Sequence, residues 1–181
     1  MYPVRLFASS FGLLLGLFSP LPGWAAEIVP SGYRNIANEY QIPPKVLYAV
    51  ALTESGRSDS IGTLRPWPWT LNLRGRGFFY SSRREAWWAL RRFLEQGKQS
   101  IDIGLMQVNW RYHKTKLVNP WLALDPYHNL RVAAVILRSC YEKKQDWWRG
   151  VGCYHSPGNE ERATAYSQRA VKHWKRLAPA S

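Results

Sequence analysis

Two short segments of the sequence carry side chains suited to acid–base chemistry on a sugar. Glu54-Ser55 closes an apolar run, and Gly104–Gln107, with the sequence Gly-Leu-Met-Gln, follows about fifty residues later. Cleavage of a glycosidic bond requires a proton on the leaving oxygen. A carboxyl group in an apolar pocket can supply it near neutral pH, because burial disfavours the charged form. The two segments together indicate glycan cleavage by one acid/base group.

The Gly-Leu-Met-Gln segment has the composition of a turn that faces a sugar. Gly104 permits a positive φ or a close backbone approach. Leu105 and Met106 offer apolar surface, and Gln107 can both donate and accept the hydrogen bonds that hydroxyl and acetamido groups require. Each segment alone has an ordinary alternative, because Glu54 suits an exposed helix end and the tetrapeptide suits a helix start. Their combination favours a turn opposite Glu54.

The elements that position Glu54 are two helices near the start of the mature chain. The spacing of apolar residues predicts a first amphipathic helix over residues 32–40. Pro43-Pro44 then stops it and begins a second helix, which is apolar on almost every face from Val46 to Leu52. Such a helix is buried. Its last residues bring Glu54 to the core boundary, and Gly56 is expected to terminate it.

A small β-hairpin is predicted before the Gly-Leu-Met-Gln segment. Residues 69–73 alternate apolar and polar side chains, residues 74–77 read Arg-Gly-Arg-Gly and predict a turn, and Phe78 to Tyr80 can form the returning strand. Ser82 with Glu85 is a capping-box pattern that predicts the start of a further helix, ended by Gly97.

Three more helices are predicted in the second half. Asp125-Pro126 has the pattern of an N-cap and first turn, a shorter helix covers residues 146–151, and a last helix begins near Asn159. The buried faces are expected to carry Leu130, Ala133, Ala134, Leu137 and Cys140 in the first of these helices and Ala163, Tyr166, Ala170, Trp174 and Leu177 in the last. The prediction is a mainly α single domain with one small β-hairpin.

The N-terminus resembles a secretory signal peptide. Arg5 precedes an apolar run over residues 6–18, and Gly23-Trp24-Ala25 offers small residues for cleavage after Ala25. The run is shorter than the roughly 20 residues of a membrane span. The prediction is a signal peptide over residues 1–25, a mature domain over residues 26–181, a periplasmic location and no stable membrane span after processing.

Two cysteines, Cys140 and Cys153, are the only ones in the 181-residue chain. In an exported protein such a pair predicts a disulfide. No metal site is expected, because neither cysteine has histidine or cysteine neighbours at zinc spacing. The net charge of +13, with ten Trp and ten Tyr, is typical of a nucleic-acid binder. It suits an acidic cell-wall polymer equally well, and export argues against a nucleic-acid partner.

Four ordered motifs give the sequence a family resemblance. Glu54-Ser55, Gly104–Gln107, Cys153-Tyr154-His155 and the later Tyr166 resemble the Glu-Ser, Gly-Leu-Met-Gln, Ala-Tyr-Asn and lone Tyr of the soluble-lytic-transglycosylase-like family. Asn129-Leu130 also resembles the Asn-Leu helix that precedes the third motif there. The resemblance spans residues 31–177. The small size, the cysteine pair and the basic surface look most like specialised members that accompany secretion, conjugation and pilus systems.

The resemblance implies a lysozyme-like fold and a non-hydrolytic cleavage of peptidoglycan to 1,6-anhydromuramic products, without metal or cofactor. Glu54 would be the catalytic acid and base. The substrate-binding residues would be Ser55, Gly104, Leu105, Met106, Gln107, Asn109, Tyr154 and Tyr166. Asp102 is the nearest rival carboxylate, and it is interpreted as a helix-capping or structural residue. The expected partners are glycan strands and components of a secretion or conjugation machine, with the protein itself a monomer.

Two departures from the family pattern bear on function. The third motif ends in His155 instead of Asn. His155 either replaces the hydrogen bonds of that Asn or alters the pH dependence of the reaction, and the first, structural interpretation is preferred. Residues 57–98 lengthen the spacing between the first two motifs and are interpreted as an insertion. This segment could flank the glycan groove or dock on a machine component, and the sequence leaves both open.

Three other functions remain compatible with parts of the sequence. A hydrolytic muramidase of the goose-type lysozyme kind shares the single dominant Glu but uses water. A catalytically inactive wall-binding or assembly module would keep the fold without the reaction. A basic nucleic-acid-binding protein fits the composition but not the signal peptide.

Overall fold

The computed structural model of the protein describes residues 28–178, and the predicted signal peptide lies outside them. Within this range the chain forms eight α-helices and six short strands, so the prediction of a mainly α domain with a small β element is confirmed. None of these helices is both long and apolar enough to cross a membrane.

The second helix is the centre of the domain. The first helix, α1 (Ser31–Glu39), matches its predicted position to within one residue, and α2 (Pro44–Ser55) begins with proline in its first turn. Every side chain from Val46 to Leu52 is buried, as the apolar run predicts. The helix ends at Ser55 with Gly56 as its C-cap, as predicted, and Gly56 has an extended backbone with φ −57° and ψ 125°. A Cβ at this position would collide with the carbonyl oxygen of Leu52, which explains the glycine.

Two antiparallel pairs follow α2. The first, β1 (Gly56–Ser58) with β2 (Leu64–Pro66), was not predicted as a pair. The second, β3 (Thr70–Leu73) with β4 (Arg76–Phe79), is the predicted hairpin, with Leu73 opposite Arg76 beside the turn.

A four-stranded sheet extends the hairpin and contains the Gly-Leu-Met-Gln segment. Strands β5 (Ile101–Ile103) and β6 (Val108–Asn109), also missed from sequence, complete the order β4-β3-β5-β6. Antiparallel pairing places Leu71 opposite Ile103 and Asn72 opposite Asp102. Residues 104–107 form the turn between β5 and β6, so the predicted turn is confirmed.

Helix α3 (Arg83–Glu95) lies between the hairpin and the turn. One of the two hydrogen bonds of its predicted capping box is present. The Ser82 side chain accepts a hydrogen bond from the Glu85 amide. The Glu85 carboxylate does not return to Ser82 but accepts from the amide and hydroxyl of Ser81. Gly97, which was expected to end the helix, lies just beyond it with φ 74°.

Three helices then lead across the domain. Two short ones, α4 (Trp110–Leu117) and α5 (Pro120–Ala123), occupy a stretch for which the sequence predicts no element. The long α6 (Pro126–Lys144) begins where predicted, since the Asp125 side chain accepts a hydrogen bond from the His128 amide. Its predicted inward face is buried, namely Leu130, Ala133, Ala134, Leu137 and Cys140.

The last two helices enclose the third and fourth motifs. Helix α7 (Trp147–His155) is longer than predicted and includes Cys-Tyr-His in its last turn. Helix α8 (Glu160–Arg176) starts after the Asn159 cap, as expected, and packs on α2 and α7. The predicted disulfide between Cys140 and Cys153 is present and ties α6 to α7.

Candidate active site

Glu54 lies in a groove between the sheet and the helices. It occupies the last turn of α2, and its side chain is only 12 % exposed. The groove has a volume of about 760 Å³ and is lined from β3, β5, β6, α4, α6 and α7. A carboxyl group that is largely enclosed yet open to a groove can exchange a proton with a bound molecule.

One oxygen of the Glu54 carboxylate is held by the protein. The Tyr166 hydroxyl donates a 2.7 Å hydrogen bond to Oε1, and His155 Nδ1 lies 3.8 Å from the same atom. The His155 ring stacks on the Tyr166 ring, with centroids 4.2 Å apart and planes 4° from parallel. Among the described residues no hydrogen bond reaches Oε2. The arrangement orients the carboxylate and leaves its second oxygen for a ligand.

Both tyrosines of the motifs are kept as hydrogen-bond donors. Burial, with the negative charge of Glu54, raises the pKa of Tyr166 well above its usual value. Burial and the same charge also raise the pKa of Tyr154, whose hydroxyl donates to the carbonyl oxygen of Met106 at 2.7 Å. Tyr166 therefore contacts the carboxylate directly, whereas Tyr154 supports the turn.

The turn depends on a glycine packed against a buried asparagine. Gly104 has φ 80°, and a Cβ there would lie 2.7 Å from the Asn129 side chain. Asn129 is fully buried and accepts from the Met106 amide while donating to the carbonyl oxygens of Ile103 and Ala123. The carboxamide of Asn129 thus connects α6 to the end of β5, to the third residue of the turn and to the last residue of α5.

Gln107 lines the groove at the end of the turn. Its backbone has φ 46°, a conformation that non-glycine residues adopt infrequently. Its Nε2 donates to the carbonyl oxygen of Gly104 at 2.8 Å and to that of Thr70 at 3.3 Å. These bonds occupy the amide donor, so the Gln107 side chain is positioned by the turn and by β3.

Five of the predicted substrate-binding residues are buried and do not line the groove, namely Ser55, Gly104, Leu105, Met106 and Tyr166. Ser55 and Leu105 are 2 % and 6 % exposed, and Met106 is fully buried. The Ser55 hydroxyl donates to the carbonyl oxygen of Leu105 at 2.6 Å. This bond joins the residue next to Glu54 to the turn, so Ser55 and Met106 act here as supports and do not present their side chains to the groove.

Asp102 and Asn109 line the groove as a bonded pair on β5 and β6. Asn109 Nδ2 donates to Asp102 Oδ1 at 2.7 Å, and the Asn109 side-chain oxygen caps α4 by accepting from the Arg111 amide. Of the two interpretations of Asp102, that of a helix cap is wrong, because Asp102 lies within a strand and Asn109 caps α4, whereas that of a structural residue stays a prediction. Burial raises the pKa of Asp102, as does the charge of Glu54, while the Asn109 hydrogen bond opposes the rise.

Several groove residues were not identified from sequence. Tyr112, His113 and Lys116 come from α4, and Lys143 comes from the end of α6. The spacing of Tyr112 and Lys116 would have placed them on one helical face, but only if α4 had been recognised. His155, interpreted as structural, also faces the groove with a 40 % exposed side chain beside Glu54.

Of the predicted insertion, residues 57–98, one side chain reaches the groove. Asn72 on β3 lines it opposite Asp102 in the sheet register. The remaining contribution of this segment is through backbone, since the Thr70 carbonyl oxygen accepts from the Gly104 amide at 2.8 Å. The segment therefore supports the turn directly.

Comparison with known proteins gives one match. The family model described as the transglycosylase SLT domain matches residues 33–176, which include Glu54, the Gly-Leu-Met-Gln turn, the Cys-Tyr-His motif and Tyr166. Searches of curated proteins and of solved structures found no match. The family match covers most of the chain and all four motifs, so this protein belongs to the transglycosylase SLT domain family, whose characteristic activity is lytic transglycosylation of peptidoglycan.

Proposed function

We propose that this protein is an active lytic transglycosylase that cleaves the β-1,4 bond between N-acetylmuramic acid and N-acetylglucosamine. The observation that carries the proposal is the Glu54 carboxylate, which is largely enclosed and is fixed at Oε1 by Tyr166 while Oε2 remains without a hydrogen bond among the described residues. A fixed carboxyl group with one free oxygen suits the successive donation and removal of a proton.

The proposed reaction needs no water. Protonated Glu54 gives its proton to the glycosidic oxygen, and the bond from that oxygen to C1 of the muramic residue breaks. The C6 hydroxyl of the same residue then attacks C1 and loses its proton to Glu54. The new C1–O6 bond gives a 1,6-anhydromuramic end, the other strand end is released as an alcohol, and Glu54 is again protonated.

The direct contact between Tyr166 and Glu54 supports a prediction about rate. Tyr166→Phe removes the 2.7 Å hydrogen bond while keeping the ring that stacks on His155. Hydrogen bonds to charged groups contribute about 1.5–3 kcal/mol. We therefore expect kcat to fall by roughly one to two orders of magnitude with KM little changed, measured as anhydromuramic product released from purified peptidoglycan.

Tyr154→Phe is the matched comparison, because its hydroxyl bonds the Met106 carbonyl oxygen and not Glu54. It should lower the melting temperature more than Tyr166→Phe lowers it, through the loosened turn. A Tyr166→Phe protein that turns over substrate at the parental rate would remove Tyr166 from the mechanism.

We further propose that the protein acts in the periplasm and opens the wall locally for a secretion, conjugation or pilus apparatus. The signal-like N-terminus supports export, and the disulfide between Cys140 and Cys153 suits an oxidising compartment. The strongly basic composition supports attraction to an anionic wall polymer or a machine component.

The decisive experiment is mass spectrometry of purified peptidoglycan after digestion by the mature protein. Anhydromuramic ends are the expected result. Reducing ends would instead assign a hydrolytic muramidase, in which water takes the place of the C6 hydroxyl. Binding of the wall without either product would assign an inactive binding module.

A further inference from the structure

Two lysines line the groove from separate helices. Lys116 lies on α4 and Lys143 lies near the end of α6, and both side chains are exposed. Neither ammonium group makes a hydrogen bond or ion pair with any residue in the described range 28–178. The next residue, Lys144, differs, because its Nζ lies 3.6 Å from Glu160 and links α6 to α8. Of two consecutive lysines, one therefore holds helices together and the other is left facing the groove.

The negative charges that line the groove already have partners. Glu54 accepts from Tyr166, and Asp102 accepts from Asn109. No other carboxylate among residues 28–178 lines the groove. His113 lies beside Lys116, and burial together with that lysine lowers the pKa of its ring. Lys116 and Lys143 are thus the lysines that line the groove, and neither ammonium group forms an ion pair with a carboxylate among residues 28–178.

An unpaired pair of cations in a substrate groove indicates an anionic substrate group. The sugars of a peptidoglycan strand are uncharged once the lactyl groups of muramic acid carry peptides. The carboxylates of the polymer lie on those peptide stems, which project from the muramic residues near the scissile bond. A lysine ammonium on a flexible four-carbon chain can follow such carboxylates without a fixed geometry.

We propose that Lys116 and Lys143 bind carboxylates of the peptide stems, so that the groove favours glycan strands whose stem carboxylates are free over strands whose stem carboxylates are amidated. This inference rests on the proposed function, because it assigns the substrate class of the same groove. Both lysines are exposed, so each contact is screened by solvent and salt. The preference should therefore be strongest at low ionic strength and decline as salt is added.

The test compares two substrates of the same glycan length and with the same stems, one with free stem carboxylates and one whose stem carboxylates have been converted to amides. The parent protein should show a higher kcat/KM on the strands with free carboxylates. In the Lys116→Gln/Lys143→Gln double variant the ratio of the two kcat/KM values should fall by about three- to tenfold, mainly through KM on the strand with free carboxylates. Lys172→Gln, an exposed position on α8 outside the groove lining, is the control for charge alone.

A parent protein that treats both substrates equally would overturn the proposal, as would a double variant that keeps the parental ratio. An equal effect of Lys172→Gln would assign the preference to net charge. The same ratio can be measured as binding with Glu54→Gln protein, by co-sedimentation of insoluble walls with free and with amidated stem carboxylates. Absence of anhydromuramic products from the parent contradicts the proposed function, whereas the binding ratio still decides the role of the lysines.

Discussion

The Glu54→Gln variant should fold like the parent and lose nearly all cleavage of peptidoglycan. Glutamine has the size of the native side chain, and its oxygen can still accept the Tyr166 hydrogen bond. Its amide cannot give a proton to the glycosidic oxygen or take one from the C6 hydroxyl. A general acid–base group typically contributes roughly 10²–10⁴-fold in rate, so kcat should fall by a factor of about 10² or more.

The measurement is the initial rate of anhydromuramic product release, with a thermal melt of the same protein sample. Glu161→Gln makes the same chemical change at an exposed site on α8, and it should keep both the parental rate and the parental melting temperature. A folded Glu54→Gln protein that cleaves at the parental rate would falsify the assignment of the acid.

Asn129→Ala should cause the largest loss of stability of any single change in the site. Asn129 is fully buried, and its carboxamide satisfies the Met106 amide and the carbonyl oxygens of Ile103 and Ala123. Leaving a buried polar group without its partner costs about 1–3 kcal/mol. The structure around the cavity can relax in part, so the total cost is smaller than the sum for three unsatisfied backbone groups. The free energy of unfolding should therefore fall by roughly 3–5 kcal/mol.

Urea unfolding of parent and variant measures this change. Asn129→Asp keeps the size and the acceptor but removes both donors, so it should also be strongly destabilised. Asn35→Ala, on the exposed face of α1, should alter stability by less than about 0.5 kcal/mol. An Asn129→Ala midpoint equal to that of the parent would show that the turn holds without this residue.

The helix starts could be predicted because their signals are local. The side chains of Ser82, Asp125 and Asn159 each accept a hydrogen bond from a backbone amide three residues later. Such a cap requires only a polar residue beside an apolar periodic run, and both are visible in the sequence. The disulfide was predictable for a similar reason, since the chain offers a single pair of cysteines.

The sheet around the turn could not be predicted in the same way. Strands β5 and β6 have only three and two residues, too few for an alternating pattern to be recognised. They are strands because β5 pairs with β3, about thirty residues earlier, and this pairing is non-local. The position of Asp102 in the groove could not be predicted for the same reason, because it depends on the register that pairs Asp102 with Asn72.

The meeting of the site residues also exceeds what periodicity can predict. Glu54 and Tyr166 are 112 residues apart. The helical pattern places Glu54 at the core boundary and Tyr166 on a buried face without indicating that they meet. Their association was expected only through the resemblance of the ordered motifs. Neither the helical periodicity nor the motif resemblance indicated that His155 lies beside Oε1 of Glu54. The family pattern has an Asn at this position.

Three hydrogen bonds connect the two halves of the site through residues 67–70 of the segment that separates them in sequence. The Trp67 amide donates to the carbonyl oxygen of Ser55, the Thr70 hydroxyl donates to that of Trp67, and the Gly104 amide donates to that of Thr70. This chain of contacts runs from the catalytic helix to the turn through the segment that separates them in sequence. A shorter protein without residues 67–70 would keep the direct bond from the Ser55 hydroxyl to the Leu105 carbonyl oxygen but lose this second connection, so deletions here and the geometry at Glu54 are coupled.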